Sequence, residues 1–74
     1  MKEQIIKLLK ENALGKSTAV LDNMDMGLYI WKKDLFVLKD GWDVEWDELS
    51  ETEQKQALSE IEKGNYIKSK SYQG

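Results

Sequence analysis

Residues 27–47, GLYIWKKDLFVLKDGWDVEWD, gather all three tryptophans and the single phenylalanine of the chain around an Asp-Gly pair. The second half of the run alternates without a break, with Trp42, Val44 and Trp46 set against Asp43, Glu45 and Asp47. Period-2 alternation directly after Asp-Gly is the strongest short-range sign of a β-hairpin. A two-residue type I′ turn needs positive φ at both positions, which Asp tolerates and Gly prefers. Any fold for this chain must therefore accommodate a sheet, and the sheet's two faces say most about what the molecule touches.

A turn at Asp40-Gly41 pairs Lys39 with Trp42, Val37 with Val44 and Leu35 with Trp46. A second tight turn near Lys33-Asp34 pairs Ile30 with Val37 and Trp31 with Phe36. The resulting expectation is a three-stranded antiparallel meander over residues 27–32, 35–39 and 42–46. One face then carries Leu28, Ile30, Leu35, Val37, Trp42, Val44 and Trp46 and is assigned to the core. The other carries Tyr29, Trp31, Phe36 and Leu38, bordered by Asp43 and Glu45. A half-solvated antiparallel sheet is normally polar on its outer face, so this second apolar face calls for a cover. Lengthening the first turn by one residue exchanges Tyr29 and Trp31 for Leu28 and Ile30 and leaves the face apolar.

Helices are expected on either side of the meander. Residues 2–14 place Ile5, Ile6, Leu8, Leu9 and Ala13 at helical spacing, opposite Lys2, Glu3, Lys7, Lys10 and Glu11, and Gly15 follows as a stop. Residues 50–63 open on a capping box, Ser50 with Glu53, and end at Lys63 and Gly64. Between the first helix and the sheet, residues 16–26 read as a short strand or an irregular connection. A one- or two-turn helix there would begin a winged helix, but Asp22 and Asp25, with no lysine after Lys16, do not suit a helix facing phosphates. Residues 65–74 are polar apart from Tyr66, Ile67 and Tyr72 and read as a partly frayed tail. The expected fold class is one small α+β domain spanning residues 1–74.

Composition removes much chemistry. The chain has no cysteine, so it forms no disulfide and offers no thiolate. It has no histidine for proton transfer near neutral pH and no arginine fork for phosphate or guanine. The expectation is a non-enzymatic protein with no catalytic residues, no cofactor, no metal and no sequence-specific nucleic-acid ligand. No apolar run reaches membrane-spanning length and the N-terminus does not read as a secretory signal, so a cytoplasmic location away from membranes is expected.

The net charge of −3 is unevenly spread: seven acids and no lysine lie from Asp40 to Glu53, while after Lys63 come Lys68 and Lys70 with no acid following. Asp43, Glu45, Asp47 and Glu48 form an acidic belt, but neither their spacing nor that of Asp22–Gly27 matches a calcium loop. The Gly15-Lys16-Ser17 triplet lacks the upstream glycine of a phosphate-binding loop.

Two functional readings follow. The first is a protein-interaction module that meets a protein partner, itself or another, through Tyr29, Trp31, Phe36 and Leu38, with a homodimer as its simplest form. The alternative is an inhibitor of the phage or mobile-element type, whose acidic belt imitates nucleic acid and fills a basic protein groove.

Overall fold

The protein's structure, a computed structural model, describes residues 1–12 and 17–69. The chain runs through helix α1 (Lys2–Glu11), strands β1 (Thr18–Leu21), β2 (Met26–Trp31), β3 (Asp34–Lys39) and β4 (Trp42–Glu45), a single 3-10 turn (Trp46–Glu48), helix α2 (Glu51–Lys63) and strand β5 (Ile67–Ser69). The strands form one antiparallel sheet in the order β4-β3-β2-β1-β5. The α+β class and antiparallel sheet stand as expected, with five strands where the sequence suggests three.

Two-residue turns set the register at the centre of the sheet. Asp40 and Gly41 have φ of 52° and 81°, and Lys39 pairs with Trp42 and Val37 with Val44. The β2–β3 turn is also built from two residues at positive φ, Lys32 (52°) and Lys33 (67°). It lies one residue earlier than Lys33-Asp34, so Ile30 pairs with Leu35 and Tyr29 with Phe36. Asp34 opens β3 instead of bending the chain. Its Oδ1 accepts the Leu35 N–H at 2.8 Å and lies 3.1 Å from Lys2 Nζ. Moving a turn by one residue moves the pairing by two, so every side chain keeps its expected face.

Both helices cover the same face. Ile5 and Leu9 of α1 and Ala57 and Ile61 of α2 pack with Ala19, Leu21, Met26, Leu28, Leu35 and Val37 in one cluster. Ile30 and Val44 are half-buried against it. Two ion pairs fasten the helix starts to opposite ends of β3: Lys2 to Asp34, and Lys39 to Glu53 at 2.6 Å. Ser50 and Glu53 close the expected capping box of α2, and Gly64 ends the helix in the left-handed conformation. The Asn65 N–H bonds back to the Glu60 carbonyl, completing the helix stop.

The tryptophans of the second hairpin part company. After β4 the 3-10 turn swings Trp46 into the core, where it is 2% exposed, and Gln54 Nε2 donates to its carbonyl at 3.1 Å. Trp42, assigned to the core from its parity, is 74% exposed. It directly follows the turn on the edge strand, and Lys39 opposite it extends toward Glu53 of α2.

Helix α1 ends at Glu11, where residues 2–14 were expected to be helical; Ala13 and Leu14 of that span lie outside the described residues, as does the Gly15 stop. Within residues 16–26 the strand reading holds over Thr18–Leu21. The tail reading of residues 65–74 requires correction at Ile67–Ser69, which pair with β1 as β5; residues 70–74 lie outside the described residues. The sequence understates these outer strands because each is too short to show alternation.

Candidate functional site

Both helices lie on one side of the sheet, and among the described residues no helix packs on the other. The register places its residues in rows. Ile67, Val20, Gly27, Leu38 and Asp43 form one row across the five strands. Tyr29, Phe36 and Glu45 form the next, and Trp31 and Asp34 a third. All four expected interface residues share this face with Asp43 and Glu45.

Their exposure differs sharply. Tyr29 is only 3% exposed. Its ring stacks on Phe36 with centroids 5.8 Å apart and planes inclined by 17°, and its hydroxyl donates to Asp43 Oδ1 at 2.7 Å. Phe36 and Leu38 are half-buried, while Trp31 is 37% exposed with Lys32 Nζ 5.5 Å from its ring centroid. The accessible apolar surface therefore consists of Trp31, Phe36 and Leu38, with Tyr29 as their support. Val20, half-buried, and Ile67, exposed, extend it. The short β5 hides Ile67 from any reading by alternation.

Gly27 is buried on this face, with the Thr18 side chain packed closely over it. A side chain there would meet Thr18, since an ideal Cβ would sit 2.7 Å from Thr18 Cγ2. Beside this contact lies a hollow of about 260 Å³ whose lining includes Thr18, Val20, Asp25, Gly27, Leu38 and Asp40. Thr18 is buried, and its Oγ1 has no hydrogen-bond partner. The sequence signal was Gly27 itself, because glycine inside a strand marks close backbone approach.

The acidic belt does not form a cation site. Asp43 accepts from Tyr29, Glu48 Oε2 accepts the Glu45 N–H at 2.9 Å, and Asp47 lies 3.8 Å from Lys2. Asp43 and Glu45 border the face opposite the helices, whereas Asp47 and Glu48 lie on the 3-10 turn. Among the described residues no acidic group gathers in a metal-holding arrangement, and no helix is long and apolar enough to cross a membrane. The most perturbed carboxylates lie elsewhere. Leu35 N–H and Lys2 hold Asp34 below its ordinary pKa, and Lys39 and Ser50 do the same for Glu53. Two asparagine amides, from Asn23 and Asn65, lower that of Glu60. These partners tie the fold together.

No protein-family model, curated protein or solved structure matches this chain.

Proposed function

We propose that the chain is a non-catalytic protein-interaction module whose working surface is the face of its sheet opposite the helices. The observation that carries this reading is the grouping of Trp31, Phe36 and Leu38 with Val20 and Ile67 on the face that neither helix covers. Aromatic side chains grouped with aliphatic ones and rimmed by acids have the composition of an interface centre with a polar border. The Tyr29–Phe36 stack holds part of this surface in a fixed shape before a partner arrives, which lowers the entropy lost on binding.

The acidic-mimic reading is weaker because its residues have work inside the molecule: Asp43 anchors Tyr29, and Glu48 occupies the Glu45 N–H. The two readings separate by mutation. Under the interaction reading, Trp31→Lys or Phe36→Asp abolishes association while circular dichroism stays native, and neutralising Asp47 and Glu48, which lie on the 3-10 turn away from the aromatic rows, leaves association in place. Sedimentation together with affinity capture at low and high salt measures both sets. Association unchanged by the aromatic substitutions but lost with the acids would overturn the interaction reading in favour of the mimic.

A further inference from the structure

We propose that the hollow between the β1–β2 turn and the segment leading from α2 into β5 binds a primary ammonium group on an alkyl chain, from a lysine side chain or a free diamine. Asp22 and the amide oxygens of Asn23 and Asn65 receive its N–H donors. The inference does not depend on the interaction reading, and of the surface described above it shares Ile67.

Glu60 organises the site from behind. It is 6% exposed and lies in the last turn of α2, where the helix dipole disfavours a carboxylate. Asn23 Nδ2 donates to one of its oxygens at 2.6 Å, and Asn65 Nδ2 donates to the other at 3.3 Å. An ionised carboxylate only accepts, so both asparagines must present their NH2 groups to it. Each amide is thereby oriented: its nitrogen faces Glu60 and its Oδ1 lies on the far side. The two asparagines are themselves exposed and come from separate connections, one in the β1–β2 turn and one just after Gly64. The Asn65 N–H also bonds to the Glu60 carbonyl, which fixes that residue's backbone beside the helix. A buried carboxylate at an unfavourable helix position thus holds two exposed amides in set orientations, as outer partners do for the groups that touch a ligand.

Both asparagines line a hollow of about 350 Å³ together with Asp22, Gly64, Tyr66 and Ile67. Among the described residues no hydrogen bond or ion pair occupies the Asp22 carboxylate or either amide oxygen. With the amide nitrogens engaged by Glu60, the side chains of Asp22, Asn23 and Asn65 offer acceptors alone. Such a set calls for a ligand that brings donors and positive charge. An ammonium group supplies three donors and one charge. Calcium takes about six to eight oxygens, commonly with several carboxylates, and Asp22 is the one carboxylate lining this hollow. Charge balance points the same way. Lys63 acts on Glu60 from the same helix, so Asp22 and Glu60 set against Lys63 leave a single negative charge for a monocation to meet. Half-buried Tyr66 and exposed Ile67 give an alkyl chain an apolar wall to lie along.

The test is a nuclear magnetic resonance titration near neutral pH, where the amine is charged, at constant ionic strength. Nα-acetyl-lysine amide and 1,4-diaminobutane are the probes, followed on the side-chain amide signals of Asn23 and Asn65. Saturable shifts are expected, with Kd on the order of 1 mM. Saturation by the lysine probe alone assigns the ammonium to a protein side chain, and saturation by the diamine alone assigns it to a free amine. The Nε-trimethylated lysine probe keeps the charge but has no N–H on that nitrogen, and should bind about tenfold more weakly. Asp22→Asn leaves both Glu60 bonds in place and should weaken binding about threefold or more. Glu60→Gln, with native circular dichroism, should weaken it as well, because its NH2 turns one asparagine around. Glu62→Gln removes the same charge from an exposed neighbour and should change nothing. Absence of a saturable shift with either probe up to roughly 50 mM, equal binding of the trimethylated probe, or no loss in Asp22→Asn would overturn the inference.

Discussion

A methyl group at position 27 would lie 2.7 Å from Thr18 Cγ2, well inside the carbon–carbon contact distance of about 3.5–4.0 Å. Gly27→Ala should therefore destabilise the fold by about 1–3 kcal/mol, as overpacking does elsewhere. Thr18→Ser removes that methyl, so in urea unfolding the double variant should be more stable than the sum of the single effects, by about 0.5 kcal/mol or more. Thr18 carries a second consequence. It is 1% exposed, and its hydroxyl has no partner. Thr18→Val should raise stability by about 1 kcal/mol, because an orphaned buried hydroxyl retains its desolvation penalty.

Glu60 is the opposite case, a buried carboxylate supplied with donors from Asn23 at 2.6 Å and Asn65 at 3.3 Å. These bonds favour the ionised form and hold its pKa below the ordinary 4.5. Its stabilising contribution is present above the ordinary value and is lost as pH falls through the lowered one. Asp34 and Glu53 act in the same direction. Thermal melts should be flat near neutrality and fall in acid. Glu60→Gln should lower the neutral Tm and flatten the acid limb, because its amide presents a donor to one of the two asparagines.

At the scale of elements, legibility follows length and local chemistry. The Asp40-Gly41 hairpin and the capped helix α2 were readable because the turn and the caps use residues suited to them. The β2–β3 turn was displaced by one residue because Lys32 and Lys33 disguise a type I′ geometry that their side chains do not favour. Strands β1 and β5, four and three residues long, carry too few alternations to be told from connections, and their pairing is decided by tertiary contact. Trp42 had the parity of a core residue, but parity specifies a face and not whether a helix reaches it. The candidate site was legible as a face for the same reason: all four interface residues were assigned to one side, while the Tyr29–Asp43 bond and the hollow depend on neighbours across strands. The turn also yields a prediction. Lys32→Asn/Lys33→Gly should raise the stability of the monomer by about 1 kcal/mol, since left-handed backbone is costly for lysine. Urea unfolding measures the gain, and an unchanged midpoint would mean that the lysines carry no backbone cost in this turn.

On the scale of the whole molecule, the governing asymmetry is that both helices pack on the same face of the sheet. Leu28 and Leu38 are both leucines on central strands, yet Leu28 is sealed beneath the helices and Leu38 is half-buried on the opposite side. Leu28→Ala empties space that closely packed neighbours cannot collapse to fill and should cost about 2–5 kcal/mol. Leu38→Ala trims a group already partly in water and should cost about 1 kcal/mol or less in the monomer. Association should reverse the order: Leu38→Ala weakens it directly, whereas Leu28→Ala affects it only through the folded fraction. Urea unfolding at low protein concentration gives the first ranking, and sedimentation of the folded variants gives the second. If Leu38→Ala destabilised the monomer as severely as Leu28→Ala, the outer face would be a second core. The Trp31–Phe36–Leu38 surface would then serve folding instead of recognition.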